Sequence, residues 1–117
     1  MDRWLRATVN SRNGLVAAAR SEAALRQELV ALALAVPLAF VVASTPWKRL
    51  ALIAVILLLI IVELLNTAIE KLADHVTPKV HPGIGRIKDM GSAAVGVALV
   101  VAAAVWLVAI GEHLGLL

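Results

Sequence analysis

An all-α integral membrane protein is the fold class this sequence predicts, and three observations carry that reading. The first is composition: 62% of the 117 residues are hydrophobic and only 3% aromatic, against roughly 45–50% apolar in an ordinary globular domain. A chain this short cannot hide so much apolar surface in one soluble core. The second is the presence of three long apolar runs. The third is where the cations fall: they border the runs rather than interrupt them. One domain, residues 1–117, is expected. With no cysteine, a disulfide framework and a thiolate metal site are both excluded. No nucleic-acid partner is expected.

Taken in order, residues 1–20 read as a surface helix. Trp4, Leu5 and Val9 offer an apolar side and Arg3, Arg6 and Arg12 a charged one, the pattern of a helix lying at a membrane interface. Gly14 is expected to break or bend it, and the opening residues lack the apolar centre of a signal peptide. The fifteen apolar residues 29–43 are too few for a bilayer, which needs about 20. The first span is therefore drawn at about 24–43, with Arg26, Gln27 and Glu28 at headgroup level and a possible kink at Pro37. "STPWKR" reads as a short connection. The second span is about 50–70. The prolines and glycines of "DHVTPKVHPGIGRIKD", residues 74–89, read as a loop or a broken helix end. The third span is about 91–110, within which residues 93–110 are eighteen unbroken apolar residues.

Orientation follows from Lys and Arg. Nine of the eleven lie in the N-terminal segment (Arg3, Arg6, Arg12, Arg20, Arg26) and the second loop (Lys71, Lys79, Arg86, Lys88), against Lys48 and Arg49 in the first loop. The N-terminus and second loop are expected in the cytoplasm and the C-terminus outside. Trp47 and Trp106 then fall at the outer interface and Trp4 at the inner one.

The second span carries the chemistry. At about 100° per residue, Glu63, Asn66, Glu70 and Asp74 share a stripe roughly 80° wide, and Glu63 lies about 10 Å deeper than Glu70. A carboxylate facing lipid costs at least about 2.5–3.5 kcal/mol at the helix centre, so the stripe should face the bundle interior or a wet cavity. Structural explanations compete. Asp74 and Glu70 could be solvated beyond the membrane edge, with Glu70 paired to a loop lysine, and Glu63 and Asn66 could serve interhelical hydrogen bonding.

Two more clusters reach the same border. In "SEAALRQE", residues 21–28, Glu22 and Arg26 stand four apart as on one helical face; the bland explanation is a surface ion pair, and Glu28 could equally be a snorkelling border residue. In "GRIKDMGSAA", residues 85–94, Arg86 and Lys88 suit phosphate, while Gly91, Ala93 and Ala94 allow close helix approach and Gly96 reads as packing. Carboxylates for a hard cation, cations for phosphate and a deep polar group beside lipid suggest phosphoryl transfer with Mg²⁺. No Walker-type or protein-kinase motif is present.

The stretches "EAALRQE", "IVELLNTAIEKLAD" and "GRIKDMGSAAV" resemble the prokaryotic diacylglycerol kinase family, in order and spacing from about Glu22 to Val95. The resemblance implies a homotrimeric inner-membrane enzyme with three spans and an N-terminal surface helix, moving the γ-phosphate of ATP to the free hydroxyl of diacylglycerol to give phosphatidate. It implies Glu63 as the catalytic carboxylate, Glu22 and Glu70 as Mg²⁺ ligands, and Asn66 as a polar residue near the site. It places Arg3, Asn10, Glu22, Glu70, Lys79, His81, Lys88 and Asp89 around ATP, and Glu63, Asn66, Ser92, Gln27 and Glu28 around the lipid, with sites formed between neighbouring chains. Asn10 stands where the family suggests tyrosine and Lys79 where it suggests an acid. Alternatives are an undecaprenol kinase of the same fold, a small proton-coupled exporter with Glu63 as proton carrier, and a non-enzymatic packing subunit.

Overall fold

A computed structural model describes residues 2–117. It contains four helices: α1 (Arg3–Ser21), α2 (Ala23–Val42), α3 (Pro46–Val76) and α4 (Pro82–His113). The last three are each long and apolar enough to cross a membrane, which makes this a membrane protein. The chain extends over 53 × 42 × 21 Å.

The spans run longer than the apolar runs, and the reason lies at their starts. Pro46 and Pro82 do not interrupt the helices but open them, because an N1 proline loses no intrahelical bond and already has a helical φ. The Thr45 side chain accepts from the Lys48 amide and His81 Nδ1 accepts from the Gly83 amide at 3.0 Å, covering amides that the first turn leaves without partners. Trp47, Lys48 and Arg49 are therefore helical, and the second connection shrinks to residues 77–81. One further expectation needs correction: Gly14 does not break α1, which runs unbroken from Arg3 to Ser21. Pro37 lies inside a continuous α2.

α3 is the central element. α2 and α4 both pack chiefly on it and barely on each other, and α1 touches the start of α2 and the second half of α3. Two small apolar clusters hold the arrangement. Near the α1–α2 junction, Ala18, Leu25 and Ile60 are buried with Leu29, Ile56 and Leu64 around them. At the other end, Ala39, Ala43 and Leu52 are buried against Val105 and Trp106. The Trp106 indole donates to the Leu52 carbonyl at 3.1 Å, and Lys48 and Glu112 pair across α3 and α4 at 3.2 Å. Most other apolar side chains, Val30, Phe40, Ile61, Leu65 and Val100 among them, are exposed, as a helix surface in contact with acyl chains requires.

Candidate functional site

The polar stripe of α3 is turned inward at its deep end and outward at its shallow end. Glu63 is 6% exposed and Asn66 9%, Glu70 is half-buried, and Asp74 is exposed. Each step along the stripe, of three or four residues, moves about one turn further from the packed middle of α3. Thr67, also buried, was not singled out in the sequence, since a lone threonine in an apolar helix reads as packing.

The Asn66 amide group donates to Glu70 Oε1 at 3.4 Å, so the stripe is bonded along its own helix rather than between helices. Asn66 Oδ1 is buried without a hydrogen-bond partner and lies against Gly91 of α4, where a Cβ would collide with it. The missing side chain at 91 lets the α4 backbone come down onto Asn66. By contrast, a Cβ at Gly96 would meet nothing within 4 Å, so its small size serves no packing within this chain.

The Glu22 carbonyl accepts from the Arg26 amide at 3.3 Å at the start of α2, but among the described residues the two side chains form no ion pair. Glu22 is the extended junction between α1 and α2, at φ −121° and ψ 116°, and its side chain makes no capping bond. Arg26 instead turns back to the end of α1, donating to the carbonyls of Ala19 at 2.8 Å and Arg20 at 3.2 Å. Those carbonyls are the ones a helix C-terminus leaves open, and a guanidinium there is favourable. Lys71 of α3 fastens the same junction by donating to Ser21 Oγ at 2.8 Å. The break thus leaves the Glu22 carboxylate without a cationic partner.

Four acids belong to adjoining elements: Glu63 and Glu70 lie on α3, Glu28 lies on α2, and Glu22 stands at the α1–α2 junction. Glu28 is half-buried, and its Oε2 has no hydrogen-bond partner. The ion pairs among the described residues are Lys48–Glu112 and Lys88–Asp74, so none of these four acids has a lysine or arginine beside it. Like-charged groups gathered in a low-dielectric setting repel unless a cation joins them, and unpartnered buried oxygens call for an explanation. The donor set suits a hard divalent ion. Among the described residues, no three acidic, histidine or cysteine side chains are close enough to enclose one alone.

The remaining predicted residues fall into two groups. Lys88 is half-buried and pairs with Asp74 rather than reaching Glu70. Lys79, His81, Asp89, Ser92 and Gln27 are exposed at the same end of the bundle or along its flank. Arg3 and Asn10 are exposed on the first half of α1, with Arg3 stacked on Trp4 at 5.4 Å, and among the described residues no hydrogen bond or ion pair links them to the carboxylates. Between α1 and α3 runs a groove of about 450 Å³ whose lining includes Leu15, Ala18, Leu64, Thr67 and Lys71. Its walls are mostly apolar, and Thr67 adjoins the stripe.

Fold and site together define a class: a small helical membrane protein whose central span carries a buried carboxylate, with further acids and a lysine around it at one end. The chain belongs to the prokaryotic diacylglycerol kinase family, whose model matches residues 9–110. It is 43% identical over 113 residues to the diacylglycerol kinase of Escherichia coli K12, covering 97% of this chain and 93% of that one. The Pseudomonas aeruginosa diacylglycerol kinase is 45% identical over 106 residues, covering 91% and 86%. The Haemophilus influenzae diacylglycerol kinase is 35% identical over 102 residues, covering 87% and 86%.

Proposed function

We propose that this protein transfers the γ-phosphate of ATP to the free hydroxyl of diacylglycerol, giving phosphatidate at the cytoplasmic border of a bacterial inner membrane and returning diacylglycerol to phospholipid synthesis. The observation that carries the reading is Glu63: a carboxylate 6% exposed within an apolar span, on one stripe with Asn66 and Glu70 and without an ion-pair partner among the described residues. Intramembrane carboxylates of this kind are functional groups. Family membership favours the kinase over an exporter or a packing subunit, and the apolar groove beside Thr67 suits the tails of an acceptor that enters sideways from the bilayer.

In this reading Glu63 accepts a hydrogen bond from the lipid hydroxyl and takes its proton as the oxygen attacks the γ-phosphorus, whose bond to the β–γ bridging oxygen breaks to release ADP. Asn66, bonded to Glu70 and braced by Gly91, keeps the two acids in register. Glu22 and Glu70 would hold Mg²⁺, which supplies charge neutralisation on the polyphosphate. Lys88 offsets phosphate charge, Lys79, His81 and Asp89 border the nucleotide, Arg3 and Asn10 reach it from α1, and Gln27, Glu28 and Ser92 border the lipid. Orientation and preorganised charge supply most of the acceleration. α1 lies on the membrane surface, and three copies assemble, with sites shared between neighbours.

The test is purified protein with γ-labelled ATP and Mg²⁺ offered diacylglycerol, undecaprenol or no lipid. Label in phosphatidate with diacylglycerol alone is the expected result. Label only with undecaprenol would move the chain to the other acceptor, and no ATP turnover with any lipid would end the kinase reading.

A further inference from the structure

Lys88 and Asp74 form an ion pair between the cytoplasm-proximal ends of α3 and α4. Asp74 is four residues beyond Glu70 on the same stripe, one turn or about 6 Å along the helix. The Lys88 ammonium is therefore held one turn outward from the half-buried acid that would meet the metal. The pair is open to solvent, with side chains 38% exposed for Lys88 and 61% for Asp74, so a soluble anion can reach both. Beside it is a cavity of about 210 Å³ whose lining includes Asp74, Thr77, Lys79, His81, Gly85 and Lys88. Two of those residues are lysines, and Asp74 is the one carboxylate among the described lining residues.

We propose that Asp74 is a placeholder anion: its carboxylate occupies Lys88 until the polyphosphate of the nucleotide displaces it. This rests on the kinase reading above. The chemistry of exchange is plain. A carboxylate and a phosphate oxygen both accept short charge-assisted bonds from an ammonium. Lysine carries that ammonium on a flexible four-carbon stem, so it swings from one acceptor to the other without moving α4. An exposed pair of this kind contributes little to stability, which lets an incoming polyanion break it. Asp74 is a positioning residue: it keeps the ammonium beside the loop cavity, discriminates against weakly charged anions, and repels the nucleotide until the exchange is made.

Removing the placeholder should therefore tighten nucleotide binding. In full-length protein, Asp74→Asn is expected to lower the KM for MgATP by about two- to fivefold, the size of an exposed ion pair, with a smaller change in kcat. Asp74→Glu restores the wild-type KM. Equilibrium binding of MgADP, which needs no lipid and no turnover, moves the same way. In a Lys88→Met background, the effect of Asp74→Asn on MgADP falls to less than about half of its wild-type size, because the two residues are coupled. An unchanged or weakened MgADP affinity in Asp74→Asn overturns the proposal, as does an undiminished effect without Lys88. If wild type binds MgADP but phosphorylates no lipid, the kinase reading fails while the MgADP series still decides the role of Asp74. If wild type binds no MgADP, both fall.

Discussion

The two ends of the α3–α4 pair are built on opposite terms. At the Trp106 end the polar groups are matched: Lys48 with Glu112, the Trp106 indole with the Leu52 carbonyl, and Arg49 with the Ala43 carbonyl at 3.1 Å and the Phe40 ring at 4.8 Å. At the Glu63 end the acids outnumber their partners, and Glu28 Oε2 and Asn66 Oδ1 are buried without a bond. A buried polar atom with no partner costs about 1–3 kcal/mol. One end is thus relaxed, and the other carries groups that cost stability.

Substitutions at the two ends should break apart accordingly. Glu63→Gln is expected to lower lipid phosphorylation by about 10²–10⁴-fold, the contribution of a general base, while removal of a buried charge leaves thermal stability equal or higher. Labelled-phosphate transfer alongside a melting curve in detergent checks both halves, and a destabilised variant with retained turnover would reverse the contrast. Gly91→Val comes next. Its side chain displaces Asn66, so a loss of about 1–3 kcal/mol is expected from overpacking, together with a fall in activity through the Asn66–Glu70 bond. Denaturation and turnover measured on one preparation test this, and Gly91→Ala gives the milder version. Trp106→Phe, at the other end, loses one hydrogen bond and should cost about 1 kcal/mol with kcat and KM unaltered. Glu112→Gln is the smallest, within about 1 kcal/mol as an exposed pair, and raised salt should erase the difference from wild type.

Periodicity made much of this readable in advance. Three apolar runs gave the three spans, and the spacing of Glu63, Asn66, Glu70 and Asp74 placed them on one face, because both are properties of a single helix. The helices start earlier than their apolar runs, at Pro46 and Pro82, where proline opens the helix rather than breaking it. The signal was present as a capping residue directly before each one, Thr45 and His81, in a position where proline belongs inside the first turn. What the sequence could not yield were relations between elements. The fit of Gly91 on Asn66, the pairing of Lys88 with Asp74 and the diversion of Arg26 to α1 all depend on how helices dock. Glu22 and Arg26 do stand one helical step apart, but the carbonyls at the end of α1, which spacing within one helix does not show, take the guanidinium instead.

The length of α3 has a consequence of its own. Its 31 residues extend about 46 Å, well past a hydrocarbon layer of about 30 Å. The outer end of the polar stripe, at Asp74, falls in the surplus, while Glu63 and Asn66 lie within the span. A bilayer thicker by about 3 Å would swallow two more residues of rise and draw Glu70 toward the hydrocarbon, while a thinner one would leave Glu63 within reach of water. Catalytic rate in vesicles should therefore pass through an optimum as acyl chain length is varied, with the lipid bed itself acting as the gauge that sets how deep the acids sit.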